Sequence, residues 1–485
     1  MPMDNIVGMV GIRKLYEKRK PLQELEKDIV KIAMSDPGGI TEEQLGWLRY
    51  IVSFARLGVV RNSQGQDVDV EPIVSRFRWL VGHELSAIVQ RRNAGRYLLQ
   101  SLPKLIAELQ QVRKRMLEHS VLDQVALEAE VCQRQLVVAS GGGGGCGYGY
   151  AGAYKSFHLA GLEPKMLAGT SIGALVGIFR ARSRAFDQLP MIEAARRLTW
   201  TTVFRVLDST HKYGIPATLR MYLRASLDSM FQTPDGRSVT FADCEIPLLV
   251  VATGLTVDAF KHDMSYYEHL MDDALDADNR IFGKSKLRKI LRMTSLLYEF
   301  FSNPQAMKEV VFGADELTMQ ADVLDAAGFS SAVPGLLHYD VLRNDPRMTS
   351  LLDQMYGEFG ITRLTEGGLV NNVPVRPLVQ EIMKGRITRR NPFVVALDCF
   401  SPQLNSMWYP IQQLVVPNVK ENIWYADMYF SLKKRLPALN VVPTVEQSLK
   451  AMQWTSDELQ PHLPFVKRMV SSHGTIPYEQ VLRMG

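Results

Sequence analysis

Gln135-Leu136-Val137-Val138-Ala139-Ser140, running into Gly141 to Gly145, and Lys165-Met166-Leu167-Ala168-Gly169-Thr170-Ser171-Ile172-Gly173 are the two stretches that decide the fold. Each opens with an apolar run of buried-strand length and breaks off at glycine. Tyr150 to Leu159 reads as a helix after the first, and Ala174 to Arg182 as a helix after the second. Strand, helix, strand and helix in succession predict a parallel sheet, because a parallel return needs a crossover and a helix supplies it. Two later apolar runs read as further strands of that sheet. They are Leu248 to Ala252, entered through Pro247, and Phe393 to Leu397, entered through Pro392 and closed by Asp398. Proline is tolerated at a strand's first position, where no ladder hydrogen bond is lost.

Upstream the periodicity is helical. Leu22, Leu25, Ile29 and Ile32 form one stripe behind Pro21, and Leu102, Leu105, Ile106, Leu109 and Val112 another behind Pro103. Both prolines suit a helix's first turn. Thr41-Glu42-Glu43-Gln44 is a capping box before Leu45, Leu48, Ile51 and Ala55, with Gly58 as the stop. Val74, Phe77, Val81, Leu85 and Ile88 make a further stripe. Residues 258–318 read as a mostly helical insertion, and the chain beyond Phe400 as irregular, then helical. The expected organisation is a helical N-terminal region over 1–132, an α/β domain over 133–402 and a mostly helical C-terminal extension over 403–485.

The bulk numbers exclude several classes. At 485 residues, 46% hydrophobic and 22% charged, the chain has an ordinary globular composition. A net charge of +5 over this length is no nucleic-acid footprint, and no zinc-finger or RNA-recognition signature is present. Cys132, Cys146, Cys244 and Cys399 lie far apart and never in C-x-x-C spacing, which argues against a disulfide framework or zinc site and for a reducing, cytoplasmic setting. The start of the chain lacks the basic and apolar segments of a signal peptide. No apolar run approaches the ~20 residues of a membrane span. Peripheral contact with a membrane surface has two candidates. Lys284, Lys286, Arg288, Lys289 and Arg292 surround Leu287, Ile290 and Leu291, and Lys433-Lys434-Arg435 follows Tyr429-Phe430.

Three motifs carry chemistry. Gly169-Thr170-Ser171-Ile172-Gly173 has the G-x-S-x-G form of a nucleophile elbow, a sharp strand-to-helix turn that exposes the serine oxygen and needs small neighbours. Gly141 to Gly145, Cys146 and Gly147 form a loop between strand and helix whose bare backbone N–H groups suit an oxyanion hole. The same run contains G-x-G-x-x-G at Gly142, Gly144 and Gly147, with Glu163 beyond it. Five successive glycines satisfy that dinucleotide pattern almost automatically, so it is weak. A P-loop is excluded by Tyr148, which stands where Lys-Ser or Lys-Thr is needed. Thr365-Glu366-Gly367-Gly368-Leu369-Val370-Asn371-Asn372 is a tight turn that can hold Glu366 as a base, or merely as a turn acid. His338, His462 and His473 follow Ser171 but sit in no triad motif, and Asp398 is a reserve acid at a strand end.

Together these elements resemble the patatin-like phospholipases over about Gln135 to Phe400, with Pro247 to Thr253 and Ser330-Ser331-Ala332-Val333-Pro334 as supporting blocks. The resemblance implies a three-layer α/β fold with a mostly parallel central sheet behind the helical N-terminal region. It implies a lipid acyl hydrolase, of phospholipase A or acylglycerol lipase type, that uses a Ser-acid dyad without histidine, metal or organic cofactor. Ser171 would be the nucleophile and Glu366 its base, with Gly142, Gly143 and Gly144 as the oxyanion hole and Gly147 closing the loop. Two departures stand out: Glu366 where the family usually has aspartate, and Cys146 where it often has arginine or lysine. They keep open the alternative of a catalytically impaired lipid-binding or scaffold protein. The implied partner is a lipid substrate, not nucleic acid, and the N-terminal helices are a candidate surface for a protein partner.

Overall fold

In the computed structural model of the protein, residues 9–36, 39–206, 212–215, 217–259, 303–341, 343–402 and 409–473 are described. The chain divides into two compact units that do not follow chain order. One takes Met1–Val137, Val379–Val394 and His462–Gly485, and the other Val138–Leu378 and Val395–Pro461.

The first unit is helical: α1 (Met9–Ser35), α2 (Glu42–Ala55), α3 (Glu71–Val89), α4 (Ala94–His119) and α5 (Gln124–Val131), with a small antiparallel pair β1 (Val59–Arg61) and β2 (Asp67–Asp69). The Thr41 capping box forms as expected. Pro21 and Pro103, expected in first turns, instead lie inside α1 and α4. An interior proline costs about 3 kcal/mol. Leu22, Leu25, Ile29 and Val30 are all buried around Pro21, and such side chains contribute ~1.5–3 kcal/mol each, so burial wins and the helix continues. At the centre of this unit Glu26, fully buried, meets three buried arginines: Arg49 at 3.1 Å, Arg56, and Arg134 at 3.4 Å. Burial pushes its carboxyl up, but the three guanidiniums outweigh that and hold it well below the usual carboxylate range.

The remaining strands are β3 (Gln135–Ser140), β4 (Met166–Thr170), β5 (Phe204–Val206), β6 (Ala217–Met221), β7 (Leu248–Leu255), β8 (Met307–Phe312), β9 (Gly335–His338), β10 (Arg363–Thr365), β11 (Pro392–Asp398) and β12 (Met428–Ser431). Seven of them make a largely parallel sheet in the order β10-β7-β4-β3-β11-β12, with β8 also on β7; β5, β6 and β9 make a small second sheet. The helices α6 (Tyr150–Leu159) and α7 (Ile172–Ala181) follow β3 and β4. The strand interiors are buried throughout β4, β7 and β11, as their unbroken apolar runs require.

Within the span read as a helical insertion, residues 260–302 lie outside the described residues, and so does the basic stretch from Lys284. The reading fails at Met307–Phe312, which is β8, antiparallel to β7. Its last four residues, Glu309, Val310, Val311 and Phe312, alternate half-buried and buried, the period of a strand.

One feature of the sheet positions the site. β4 runs parallel to the first half of β7 and stops with Thr170 opposite Val251. β10 runs antiparallel to the second half and stops with Thr365 opposite Thr253. Since β8 pairs with Val250 to Leu255, it takes one edge of β7, and β4 and β10 meet end to end on the other. The residues that leave these two ends, Ser171 and Glu366, emerge together beside Ala252.

Candidate active site

The chain turns at Ser171 with φ 54° and ψ −124°, and α7 begins at the next residue. A non-glycine residue held at positive φ costs ~1–3 kcal/mol and needs its surroundings to enforce it. Here the Ser171 amide donates to Ser330 Oγ at 2.8 Å, and the Ser330 hydroxyl donates to the Val251 carbonyl, which ties the turn to β7. The flanking glycines are dictated by space: a Cβ on Gly173 would collide with the Ser140 carbonyl, and one on Gly169 would lie 2.6 Å from the Ala174 nitrogen.

Glu366 is held as firmly. Its N–H donates to the Ala332 carbonyl at 3.0 Å, and its own carbonyl accepts from Thr253 Oγ1 at 2.7 Å. Ser171 Oγ donates to Glu366 Oε2 at 3.1 Å, and the Gly368 N–H donates to Oε1 at 3.3 Å. No lysine, arginine or histidine pairs with this carboxylate among the described residues. It keeps one side open to a cavity and is otherwise enclosed by protein. That burial pushes the carboxyl up to about 8, against the opposing pull of the Gly368 N–H and the Ser171 hydroxyl.

The glycine loop is only partly available. Gly141, Gly142 and Gly145 donate their N–H groups to the carbonyls of Leu397, Asn372 and Ala438 at 2.9, 3.0 and 2.8 Å. Gly143 and Gly144, at φ 153° and 55°, line the cavity beside Ser171. Among the described residues no acceptor takes their N–H groups. The oxyanion set expected from sequence therefore narrows. Gly142 has spent its donor on Asn372, and Gly147 packs against Ile172 instead of lining the cavity. Glu163, the acid of the dinucleotide pattern, pairs with Lys165 at 3.6 Å.

The cavity, about 230 Å³, extends from Ser171 between apolar walls that include Leu175, Phe179, Ile192, Phe204, Leu227 and Leu336. Among the described residues Glu366 is the one charged side chain in the lining, and the polar groups Asn372 and Ser331 join it. The walls come from α7, the helix Leu189–Arg197, the small sheet and the helix Val445–Leu459, so residues past the expected boundary at 402 build this site.

Other acids and bases are occupied. His338 bonds to the Ile215 carbonyl at 2.7 Å and His473 to the Val131 carbonyl at 3.1 Å. Asp398 accepts from Tyr429 and from the Phe400 N–H. Cys146 is buried, which pushes its thiol up to about 11. Among the described residues no three His, Cys, Asp or Glu side chains gather as metal ligands do. Ser330 was not assigned a role from sequence. It lies 159 positions from Ser171, and only the Ser-Ser-Ala-Val-Pro block marked it.

Residues 137–379 match the family described as Patatin-like phospholipase. No curated protein matches the chain.

Proposed function

The chain belongs to the patatin-like phospholipase family, a family of lipid acyl hydrolases, and we propose that it cleaves a carboxylic ester of a lipid, as a phospholipase A or acylglycerol lipase, with Ser171 as nucleophile and Glu366 as base. The observation that carries this reading is the 3.1 Å contact from Ser171 Oγ to Glu366 Oε2 at the head of an apolar cavity. Ionised Glu366 takes the hydroxyl proton as Oγ attacks the acyl carbonyl. The negative charge on the carbonyl oxygen is held by the N–H groups of Gly143 and Gly144. Glu366 then gives its proton to the departing alkoxide, leaving the acyl group on Ser171. A water molecule, deprotonated by the same carboxylate, releases it as the fatty acid. The cavity fits the acyl chain, since among the described residues its lining offers apolar contact and, Glu366 aside, no charge.

The test is release of fatty acid from phosphatidylcholine and from diacylglycerol by the parent, Ser171→Ala and Glu366→Ala proteins. Release that is lost in both variants supports the dyad. Release that survives Ser171→Ala refutes it. No release by the parent, with lipid still bound, would favour an impaired lipid-binding protein.

A further inference from the structure

We propose that Phe179 sets the length of acyl chain this cavity accepts, closing it to straight chains longer than about nine carbons. The proposal rests on the lipid-hydrolase reading of the cavity. Four residues of α7 line it: Ile172, Leu175, Val176 and Phe179. Their spacing of i, i+3, i+4 and i+7 is a single stripe of a helix over two turns. The cavity therefore runs along α7, away from the nucleophile at its N-terminus, and Phe179 is the last residue of the stripe to reach it. The next position on that stripe, Arg182, turns elsewhere. Its guanidinium donates to the Met230 carbonyl and lies 5.5 Å from the centre of the Phe231 ring.

What stands behind Phe179 makes it a wall. Its ring meets that of Phe231 edge-on, with centroids 4.8 Å apart and planes at 71°, an arrangement aromatic pairs prefer. Phe231 is buried and does not line the cavity. Leu227, on the same short segment as Phe231, does line it. The Phe179 ring cannot swing aside without giving up its contact and opening Phe231 to the cavity. A helical rise of about 1.5 Å per residue puts Phe179 about 10 Å beyond Ile172. An extended chain with C–C bonds of ~1.5 Å advances about 1.3 Å per carbon, so about eight methylenes span that distance. With the carbonyl carbon at Ser171, the acyl group that fits has about nine carbons. Within that length each methylene leaves water for the apolar stripe, and affinity rises about fourfold with each. A further methylene meets the Phe179 ring and must fold back or push it off Phe231.

The experiment measures the affinity of the full chain, carrying Ser171→Ala, for straight-chain methyl esters from butanoate to dodecanoate, by displacement of an environment-sensitive fluorophore. The substitution removes turnover, so that binding is read alone. Affinity is expected to climb to about nonanoate and then level off. Phe179→Ala is expected to move the break outward by about two to three carbons. Phe179→Leu, the gentler truncation, is expected to move it by about one and serves if melting curves show that Phe179→Ala does not fold. Affinity that climbs without a break, a break that neither variant moves, or no ester binding by the Ser171→Ala protein would each overturn the proposal. Because no turnover is read, the break can be absent while Ser171 hydrolyses esters in the parent, and it can be present in a protein that hydrolyses none.

Discussion

Glu26, fully buried in the helical unit, and Glu366, part-buried with one side open to the cavity, are driven in opposite directions. Glu26 faces Arg49, Arg56 and Arg134 and is locked in its charged form. Glu366 has a backbone N–H and a hydroxyl for company and is pushed up to about 8. Burial costs each carboxylate its hydration; what differs is whether a cation is supplied in return. A compensated carboxylate holds structure together. An uncompensated one is a proton acceptor whose basicity has been raised, which is what a base for a serine hydroxyl needs.

The sharpest way to break the contrast is to neutralise each acid in turn. Glu366→Gln is expected to lower kcat/KM on a water-soluble ester by ~10³-fold, the scale of a lost general base. Its folding should not suffer. The raised pKa means that Glu366 contributes stability below the unfolded value of about 4.3 and loses that contribution as pH rises through about 8. Melting curves across this range should therefore show Glu366→Gln gaining on the parent as pH increases. Glu26→Gln should do the reverse. Three buried guanidiniums would lose their counter-charge, at a cost of ~3–5 kcal/mol, with no change in kcat per folded molecule. Since the Glu26 carboxyl is held low, its contribution is present above about pH 4.3 and fades in acid, where the two proteins should converge.

A smaller change sharpens the geometry. Glu366→Asp withdraws the carboxylate by one methylene from a contact now made at 3.1 Å. The expected loss in kcat is ~10–100-fold, even though aspartate is the family's usual residue, because Ser330, Ala332 and Thr253 hold this backbone where glutamate's reach fits. Smaller still, Ser171→Gly should be about 1 kcal/mol more stable than Ser171→Ala in chemical denaturation, since glycine takes φ 54° without strain.

Much of this site was legible in the residues themselves. The elbow, the glycine loop and the Glu366 turn each announce a sharp backbone path, and glycine at Gly169 reflects local space against Gly173 and Ala174 that a short sequence window encodes. Gly173, by contrast, is fixed by the distant Ser140 carbonyl. Ser330 did not show its role, because its bond to the Ser171 amide joins segments far apart in the chain. Gly142 was misjudged for the same reason. Its N–H is spent on Asn372, a partner that a run of identical glycines cannot reveal. The helical reading failed at Val310 and Phe312, where a strand's alternation was hidden inside a longer helical pattern, and at Pro21 and Pro103, where tertiary burial overrides local cost. The cavity walls from Leu189–Arg197 and Val445–Leu459 carry no chemical motif, so only the fold assigns them to the site.

The central claim is that Ser171 is activated by a carboxylate whose pKa burial has raised. The most direct measurement is the rate at which a fluorophosphonate modifies the protein as a function of pH, with the modified residue located by mass spectrometry. The account predicts modification at Ser171, with a rate that climbs about tenfold per pH unit below the Glu366 pKa and levels off above about 8. Modification at another residue, or a rate at Ser171 that does not change with pH across that range, would contradict it.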